Sequence, residues 1–281
     1  MIPRLFTPLV LSAGGTVQLD PAAAHHAVRV LRLGAGAAVE LFDGQGRAAT
    51  ATILSPTAGT VRIERILASP SQALKLTLAQ CISAAEKMDW TIEKAVELGV
   101  AAIVPLQSQK ATVKLTAERS ARRREHWQRL IIAASAQSGQ NHVPRLREVT
   151  KLDAYLSQPV PACAGDEPGC DESPGALLRV ILHPQAGRSL NAILAAQEAS
   201  RKLLPDPTPG LQAADPSAGG ATGIGAVWLL CGPESGFSEA EYQLACATGW
   251  LPAGLGPRVL RTETAGLVAL AVVQARWGEL R

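Results

Sequence analysis

The sequence predicts an α/β protein with two domains: a small β-barrel over residues 1–70 and a mostly parallel sheet with helices on its faces over residues 74–281. Two observations predict this division. Short β-prone runs separated by turns fill the first 70 residues, whereas strands and helices alternate from Leu74 onward. The stretch Ala68–Gln72, which contains two serines and a proline, is expected to link the two domains.

The first domain contains β-prone runs and one helix. Asp20 is the expected N-cap of that helix, Pro21 stands at its first position, and the helix is expected to end at Gly34. A helix with strands on both sides of it in the sequence is compatible with a small barrel. The predicted strands are Thr16–Leu19, Ala37–Phe42, Ala48–Leu54 and Thr60–Ile66.

The second domain shows alternating strands and helices. Ser83 with Glu86, and Ser238 with Glu241, have the spacing of capping boxes at helix starts. The predicted strands are Leu74–Cys81, Val100–Leu106, Leu177–His183 and Ala226–Cys231. The predicted helices run from Ser83 to Leu98, Ala117 to Ser138, Leu190 to Leu203, Phe237 to Gly249 and Glu263 to Gly278. The segments 158–175 and 205–225 are rich in Pro, Gly, Ala and Asp, and they are expected to be exposed loops.

Composition excludes several classes of protein. Hydrophobic residues make up 47% of the chain, which is enough for a packed core. No apolar run reaches the roughly 18–20 residues of a membrane span, and the first residues lack the layout of a signal peptide, so we expect a soluble cytoplasmic protein. The five cysteines are scattered without a C-x-x-C pair, so neither a disulfide framework nor a metal site is expected.

The small net charge of +3 hides an uneven distribution. The first 155 residues carry an excess of seven positive charges, and the remainder carries an excess of four negative charges. A polyanion is therefore a reasonable partner for the first part of the chain. For the run Arg122–Arg124 alone, a solvated helix face is the alternative interpretation.

Three polar loops follow predicted strands or a glycine-rich turn. Gly232–Gly236 follows a buried strand and precedes a helix, where an open α/β sheet places its ligand loop, although its glycine spacing is not that of a P-loop. Leu182–Pro184 also stands at a strand end, and Leu255–Ala265 holds two arginines, one glutamate and two threonines. Each loop also has an alternative interpretation. Gly232–Gly236 could be a plain tight turn, His183 could be structural, and Leu255–Ala265 could be a capped helix start with a surface ion pair. Together the three loops could form one crevice.

The two glycine-containing loops resemble the paired signature of the bacterial 16S ribosomal RNA uracil-N3 methyltransferases, which belong to the SPOUT superfamily of knotted methyltransferases. The signature reads Gly232-Pro-Glu-Ser-Gly-Phe-Ser-x-x-Glu241 and Leu255-Gly-x-Arg-Val-Leu-Arg-Thr-Glu-Thr-Ala265. Further matching blocks are His26–Arg32, Phe42–Gly44, Glu86–Met88 with Thr91–Gly99, and Gln137–Asn141 with Val143-Pro144.

This resemblance implies an N-terminal RNA-binding domain like PUA domains, a C-terminal SPOUT domain with a trefoil knot, and a homodimer. It implies S-adenosylmethionine-dependent methylation of N3 of a uridine in the decoding region of 16S ribosomal RNA, with the RNA or the small ribosomal subunit as partner. Methylation of another RNA such as tRNA, or a non-catalytic RNA-binding module, remains the alternative. The implied cofactor-binding residues are Leu182, His183, Pro184, Cys231, Gly232, Pro233, Glu234, Gly236, Leu255, Gly256, Val259, Leu260 and Arg261.

The same resemblance implies that charged residues of the second signature block take part in catalysis. Arg261 or Arg258 could stabilise a uracil anion, while Glu263 could serve as the base or could anchor an arginine. Ser235 stands where the family usually has glycine, and a left-handed backbone there would cost about 1 kcal/mol. The candidate RNA contacts are Arg4, Arg29, Arg32, Lys87, Arg122, Arg123 and Arg124.

Overall fold

The structure is a computed structural model, and it describes residues 2–68, 74–111, 115–158, 176–202 and 224–280. Contacts divide the chain into two compact units. One consists of Met1–Ser71 with Ile131–Pro144, and the other of Gln72–Leu130 with Arg145–Arg281. The predicted loops 158–175 and 205–225 lie outside the described residues except at positions 158, 224 and 225, and the last two belong to a strand.

The first unit is built on a five-stranded mixed sheet. Its strands are β1 (Arg4–Phe6), β2 (Thr16–Gln18), β3 (Ala38–Phe42), β4 (Ala48–Ser55) and β5 (Thr60–Leu67), in the order β1-β3-β4-β5-β2. The pair β1–β3 is parallel and the other pairs are antiparallel. The four predicted strands are confirmed. Strand β1 was not predicted, and these residues form a strand by pairing with β3, which is distant in the sequence.

The predicted helix of the first unit is only partly correct. Asp20 caps α1 (Pro21–His25) as expected, since its carboxylate accepts hydrogen bonds from the backbone N–H groups of Ala22 and Ala23. The α-helix does not continue to Gly34, because His26–Val30 form a π-helical turn. Arg32 then adopts a left-handed backbone with φ 53°, which side chains other than glycine rarely accept.

The segment 131–144 completes the first unit. The N–H of Val143 donates to the carbonyl of Gly44 at 3.0 Å, and the guanidinium of Arg4 donates to the side chain of Asn141. Gly44 has φ +75°, and a Cβ there would lie 2.9 Å from the ring of Phe6. Glycine is therefore required at this turn. Two matching blocks that are about 95 residues apart in sequence, Phe42–Gly44 and Gln137–Asn141, thus lie in the same unit.

The second unit is a seven-stranded sheet in which every pair is parallel. The order is β12-β10-β11-β6-β7-β8, and β9 also pairs with β7. The strands are β6 (Lys75–Cys81), β7 (Ala102–Gln107), β8 (Arg145–Leu146), β9 (Thr150–Lys151), β10 (Ala176–Leu182), β11 (Ile224–Cys231) and β12 (Leu251–Ala253). The helices are α2 (Ala85–Glu97), α3 (Ala117–Ser138), α4 (Leu152–Leu156), α5 (Leu190–Lys202), α6 (Glu239–Ala247) and α7 (Thr262–Trp277).

The alternation of strands and helices is confirmed, but one of the two predicted capping boxes is wrong. Ser238 and Glu241 form the reciprocal pair at the start of α6. At α2 the N-cap is Ala84 without a side-chain bond, and the buried hydroxyl of Ser83 has no hydrogen-bond partner among the described residues. The helix begins one residue later than the spacing predicts, so Ser83 precedes the N-cap position and its hydroxyl does not cap the helix.

The core of the second unit lies around its central strands. Residues of β6, β10 and β11 such as Leu78, Val180 and Leu229 are 0% exposed, as expected for strands covered on both faces. Helix α2 packs against α7, and α7 packs on β6 and β11. Gly266 of α7 makes this approach possible, because a Cβ there would lie 3.1 Å from Leu78. In the sheet, β11, β10 and β12 are parallel neighbours, so their carboxyl ends lie at one edge.

Candidate active site

The three predicted loops lie side by side at the carboxyl edge of β11, β10 and β12. The N–H of His183 donates to the carbonyl of Ala253 at 3.0 Å, and the N–H of Gly254 donates to the carbonyl of Arg188 at 2.9 Å. These bonds join the segments that follow β10 and β12. Leu182 is buried, whereas the ring of His183 lies 4.6 Å from that of Tyr242 and its Nδ1 accepts from the N–H of Gln185.

The turn after β11 is closed by a hydrogen bond from the N–H of Gly236 to the carbonyl of Pro233 at 2.9 Å. Gly236 has φ +72°, so the left-handed residue is the glycine that follows Ser235. Ser235 does not have a positive φ, so the cost of a left-handed backbone does not arise there. Its hydroxyl instead donates to the carbonyl of Lys110 at 2.7 Å, which ties the turn to the loop after β7.

Glu241 strengthens the same connection. Its carboxylate is 1% exposed and accepts hydrogen bonds from the N–H groups of Gln109 and Ser238, both at 2.7 Å, and from the hydroxyl of Ser108 at 3.2 Å. The sequence indicates Glu241 only as a capping residue. Its further role in holding the loop after β7 depends on tertiary contacts more than 130 positions apart in sequence.

Thr262 joins the loops after β11 and β12. Its hydroxyl donates to the carbonyl of Gly232 and accepts from the amide of Gln80 at 3.0 Å. The thiol of Cys231 lies 3.3 Å from the carbonyl of Thr262. Burial raises the pKa of the Cys231 thiol, which therefore stays protonated near neutral pH and is a poor nucleophile. Thr262 is consequently a buried connector and not the N-cap of α7, which is Arg261.

The segment after β12 is exposed. Val259 is 78% exposed, and the side chain of Arg261 is 79% exposed. Gly256 has φ +112°, and a Cβ at Gly256 or Gly236 would meet no atom within 4 Å. Two stretches of bare backbone thus face open space at one edge of the sheet. This is the kind of cradle that a bound ligand requires, and the residues fit the expected cofactor.

A group of charged side chains lies beside these loops. The ammonium of Lys87 is 2.5 Å from Oε1 of Glu234 and 3.8 Å from Oε1 of Glu263. Arg261 is 4.0 Å from the same Glu263 oxygen, while the buried Oε2 of Glu263 has no hydrogen-bond partner within the described residues. An open cavity of about 370 Å³ is lined by Glu86, Lys87, Trp90, Glu263 and Thr264.

The candidate RNA contacts fall into distinct environments. Arg4 is 12% exposed and is held by Glu40 at 2.8 Å, so its guanidinium is used within the first unit. Arg29 and Arg32 are exposed around the π-helical turn. Arg122 pairs with Glu118 and Arg124 with Glu148, and Arg123 is half-buried. Lys87 lies in the charged group of the second unit.

Neither a metal cluster nor a membrane-spanning helix is found among the described residues. In the described ranges, no three His, Cys, Asp or Glu side chains come together in a way that would hold a metal ion. Among the same residues, no helix combines the length and the hydropathy that crossing a bilayer requires.

Comparison with known proteins identifies the family of the chain. The model of the RNA methyltransferase domain matches residues 70–274, and that of the RNA methyltransferase PUA domain matches residues 19–64. The crystal structure of ribosomal RNA small subunit methyltransferase E from Neisseria gonorrhoeae, bound to S-adenosyl methionine, is 31% identical with a TM-score of 0.78, and each chain is covered completely. Two proteins with the same name are 27% and 26% identical. The one from Buchnera aphidicola (strain Sg) aligns over 99% of this chain and 98% of its own, and the one from Bacillus subtilis over 92% and 89%. The chain therefore belongs to the RNA methyltransferase family that includes ribosomal RNA small subunit methyltransferase E.

Proposed function

We propose that this protein transfers the methyl group of S-adenosylmethionine to N3 of a uridine in 16S ribosomal RNA. The observation that carries the proposal is the cradle formed by the loops after β10, β11 and β12, with the bare backbone of Gly236 and Gly256 facing open space. The Neisseria gonorrhoeae protein, which is similar over its whole length, was solved with S-adenosyl methionine bound. Its name also gives the class of RNA.

The cofactor would be held mainly by backbone groups. The turn Pro233–Gly236 and the segment Leu255–Leu260 would supply these groups, and the segment Leu182–Pro184 lies at the adjacent strand end. When bound, S-adenosylmethionine supplies a methyl group on a sulfonium. The chain then has to hold the acceptor in line with that group and to exclude water from it.

Arg261 is the residue that we assign to the uracil. Loss of the N3 proton leaves a negative charge that spreads onto O2 and O4, and a guanidinium can stabilise that charge. The exposed side chain of Arg261 stands at the N-cap of α7, next to the cofactor loop, and Arg258 lies on the same exposed segment. Arg258 is the second candidate for the same role.

Glu263 has two roles that both fit its contacts. Its Oε1 lies near Lys87 and Arg261, as an anchor of an arginine would, while its Oε2 has no partner within the described part of the chain and could accept a proton. Glu263→Gln separates them through the pH dependence of single-turnover methylation. A base role predicts a large loss that changes the pH profile, whereas unchanged turnover across pH would exclude Glu263 as the base.

RNA binding is assigned to the exposed arginines Arg29 and Arg32 of the first unit. Because N3 lies on the pairing edge, the uridine has to be unpaired or flipped out when it reacts. The double variant Arg29→Glu with Arg32→Glu is expected to weaken RNA binding and to reduce its dependence on salt. Unchanged affinity with an unchanged salt slope would show that these arginines do not contact RNA.

The trefoil knot, the homodimer and the cytoplasmic location belong to this proposal as well. The knot and the homodimer are properties of the family that the sequence resembles. The exposed side chain of Trp90 offers apolar surface for a second copy. Cytoplasmic location follows from the substrate, because ribosomes are assembled there.

The proposal is tested in two steps. Calorimetry of the purified protein with S-adenosylmethionine should show saturable binding, and absence of binding would favour the non-catalytic RNA-binding alternative. Mass analysis of ribosomal RNA from a strain that lacks the gene should then show one uridine without its methyl group. A complete methylation pattern in 16S ribosomal RNA together with a loss in tRNA would favour the tRNA alternative.

A further inference from the structure

Lys87 contacts carboxylates in two separate segments near the proposed cofactor site, although it belongs to neither segment. It lies in the first turn of α2, which is not one of the three loops. Its ammonium is 2.5 Å from Glu234, at the tip of the turn after β11, and 3.8 Å from Glu263, in the first turn of α7. One positive charge is therefore shared by two carboxylates that come from two different loops.

The backbone of Lys87 is held in place by the packing of its helix. The next residue, Met88, is 0% exposed, and α2 packs against α7. The side chain of Lys87 is 34% exposed, so its pair with Glu234 is only partly screened by water. A rigid helix thus presents an ammonium to a turn whose opposite side is held by the bond from Ser235 to the carbonyl of Lys110. The turn is anchored on both sides of its tip.

We propose that Lys87 is a positioning residue for the cofactor, and not an RNA contact. Through Glu234 it fixes the turn whose backbone faces the cofactor, and through Glu263 it ties that turn to the start of α7. A preorganised site loses less entropy when its ligand binds, so the expected result of losing Lys87 is weaker cofactor binding. This inference rests on the proposed function, because it takes S-adenosylmethionine as the ligand of the loops.

The test compares Lys87→Met with Lys94→Met, since both remove a positive charge and keep an unbranched apolar side chain. Lys94 lies on the same helix and has the same 34% exposure. It pairs with Glu97 at 2.6 Å in the last turn of the helix, whereas Lys87 lies in the first turn. Calorimetry should show a dissociation constant for S-adenosylmethionine raised about tenfold in Lys87→Met and unchanged in Lys94→Met. Lys87→Arg should recover most of the affinity.

Further measurements separate positioning from a structural or RNA-binding role. Hydrogen exchange at the amides of residues 234–236 should become faster in Lys87→Met, while the thermal unfolding midpoint changes little. In kinetics the KM for S-adenosylmethionine should rise more than kcat falls. The double variant with Glu234→Gln should lose no more affinity than Lys87→Met alone, because the lysine variant already removes the pair with Glu234.

The outcomes are distinguishable from failure of the proposed function. If the wild-type protein does not bind S-adenosylmethionine, the proposed function itself is wrong. If the wild-type protein binds it and Lys87→Met binds it equally well, the positioning role is overturned. Weaker RNA binding with a salt slope reduced by about one, at unchanged cofactor affinity, would overturn it in favour of a phosphate contact.

Discussion

The loops after β11 and β12 lie at the same edge of one sheet, but they are held very differently. The turn Pro233–Gly236 is closed by its own hydrogen bond and is anchored by Lys87 on one side and by the Lys110 carbonyl on the other. In the segment Gly256–Leu260, by contrast, no side chain makes a hydrogen bond within the described residues, and Val259 is 78% exposed.

This difference separates two tasks. Holding a cofactor requires backbone groups at fixed positions, which multiple anchors provide. Receiving an RNA substrate requires side chains that are exposed and free to contact it, as Arg258 and Arg261 are. Changes in the first loop should therefore affect stability and cofactor affinity, and changes in the second should affect catalysis with little effect on stability.

The largest expected effect is that of Arg261→Ala. We expect a loss of about 10²–10³-fold in the rate of single-turnover methylation, because a fixed cation next to the developing charge is removed. Thermal stability should stay within about 1 °C, since the side chain is 79% exposed. Arg258→Ala is the comparison, with a smaller expected loss. A loss of stability in Arg261→Ala would contradict the assignment of the second loop to substrate.

Thr262→Val should give the largest loss of stability. The hydroxyl contacts the Gly232 carbonyl and the Gln80 amide in a buried position. Its removal takes this partner from the Gly232 carbonyl and leaves the Gln80 amide with its bond to the carbonyl of Cys81. The expected loss in the free energy of unfolding is about 1–3 kcal/mol, measured by urea denaturation. Thr264→Val in the same helix turn is the matched control and should change the free energy by less than about 0.5 kcal/mol. Equal losses in the two variants would show that Thr262 is not a connector.

Gly236→Ala tests the geometry of the anchored turn. The positive φ of 72° strains any residue with a Cβ, and the space around that position is open, so the cost should be the backbone strain alone. We expect about 1 kcal/mol in the free energy of unfolding, together with weaker cofactor binding. Gly187→Ala is the control, because Gly187 has no positive φ and no atom within 4 Å. If the two variants are equally stable, the turn is not held in its left-handed form.

The smallest expected effect is that of Val259→Ser in the second loop. An exposed valine without packing partners contributes little to stability, so the free energy of unfolding should change by less than about 0.5 kcal/mol. The measurement is urea denaturation at a protein concentration that is kept constant. A loss above about 1 kcal/mol would show that this segment is packed, either within one chain or against a second copy.

The sequence alone determined the alternation of strands and helices, because apolar periodicity, Asp20, the Ser238–Glu241 box and helix-ending glycines act locally. It also located the three loops, since their glycines and charges follow the strands directly. The family could be identified for a similar reason, because its signature residues are contiguous. The predicted end of the first helix was wrong, since a π-helical turn has no clear sequence pattern.

The tertiary structure decided which residues meet. The parallel order β12-β10-β11 brings the three loops to one edge, and nothing local to any of them specifies that order. The folded chain starts α2 one residue after the position that Ser83 would cap, makes Thr262 a buried connector, and gives the Ser235 hydroxyl a partner in the loop after β7. It also places Lys87, which the sequence suggests as an RNA contact, beside two carboxylates. The physical reason is that a lysine has the same sequence signal on any surface, whereas its partner is fixed only when distant segments fold together.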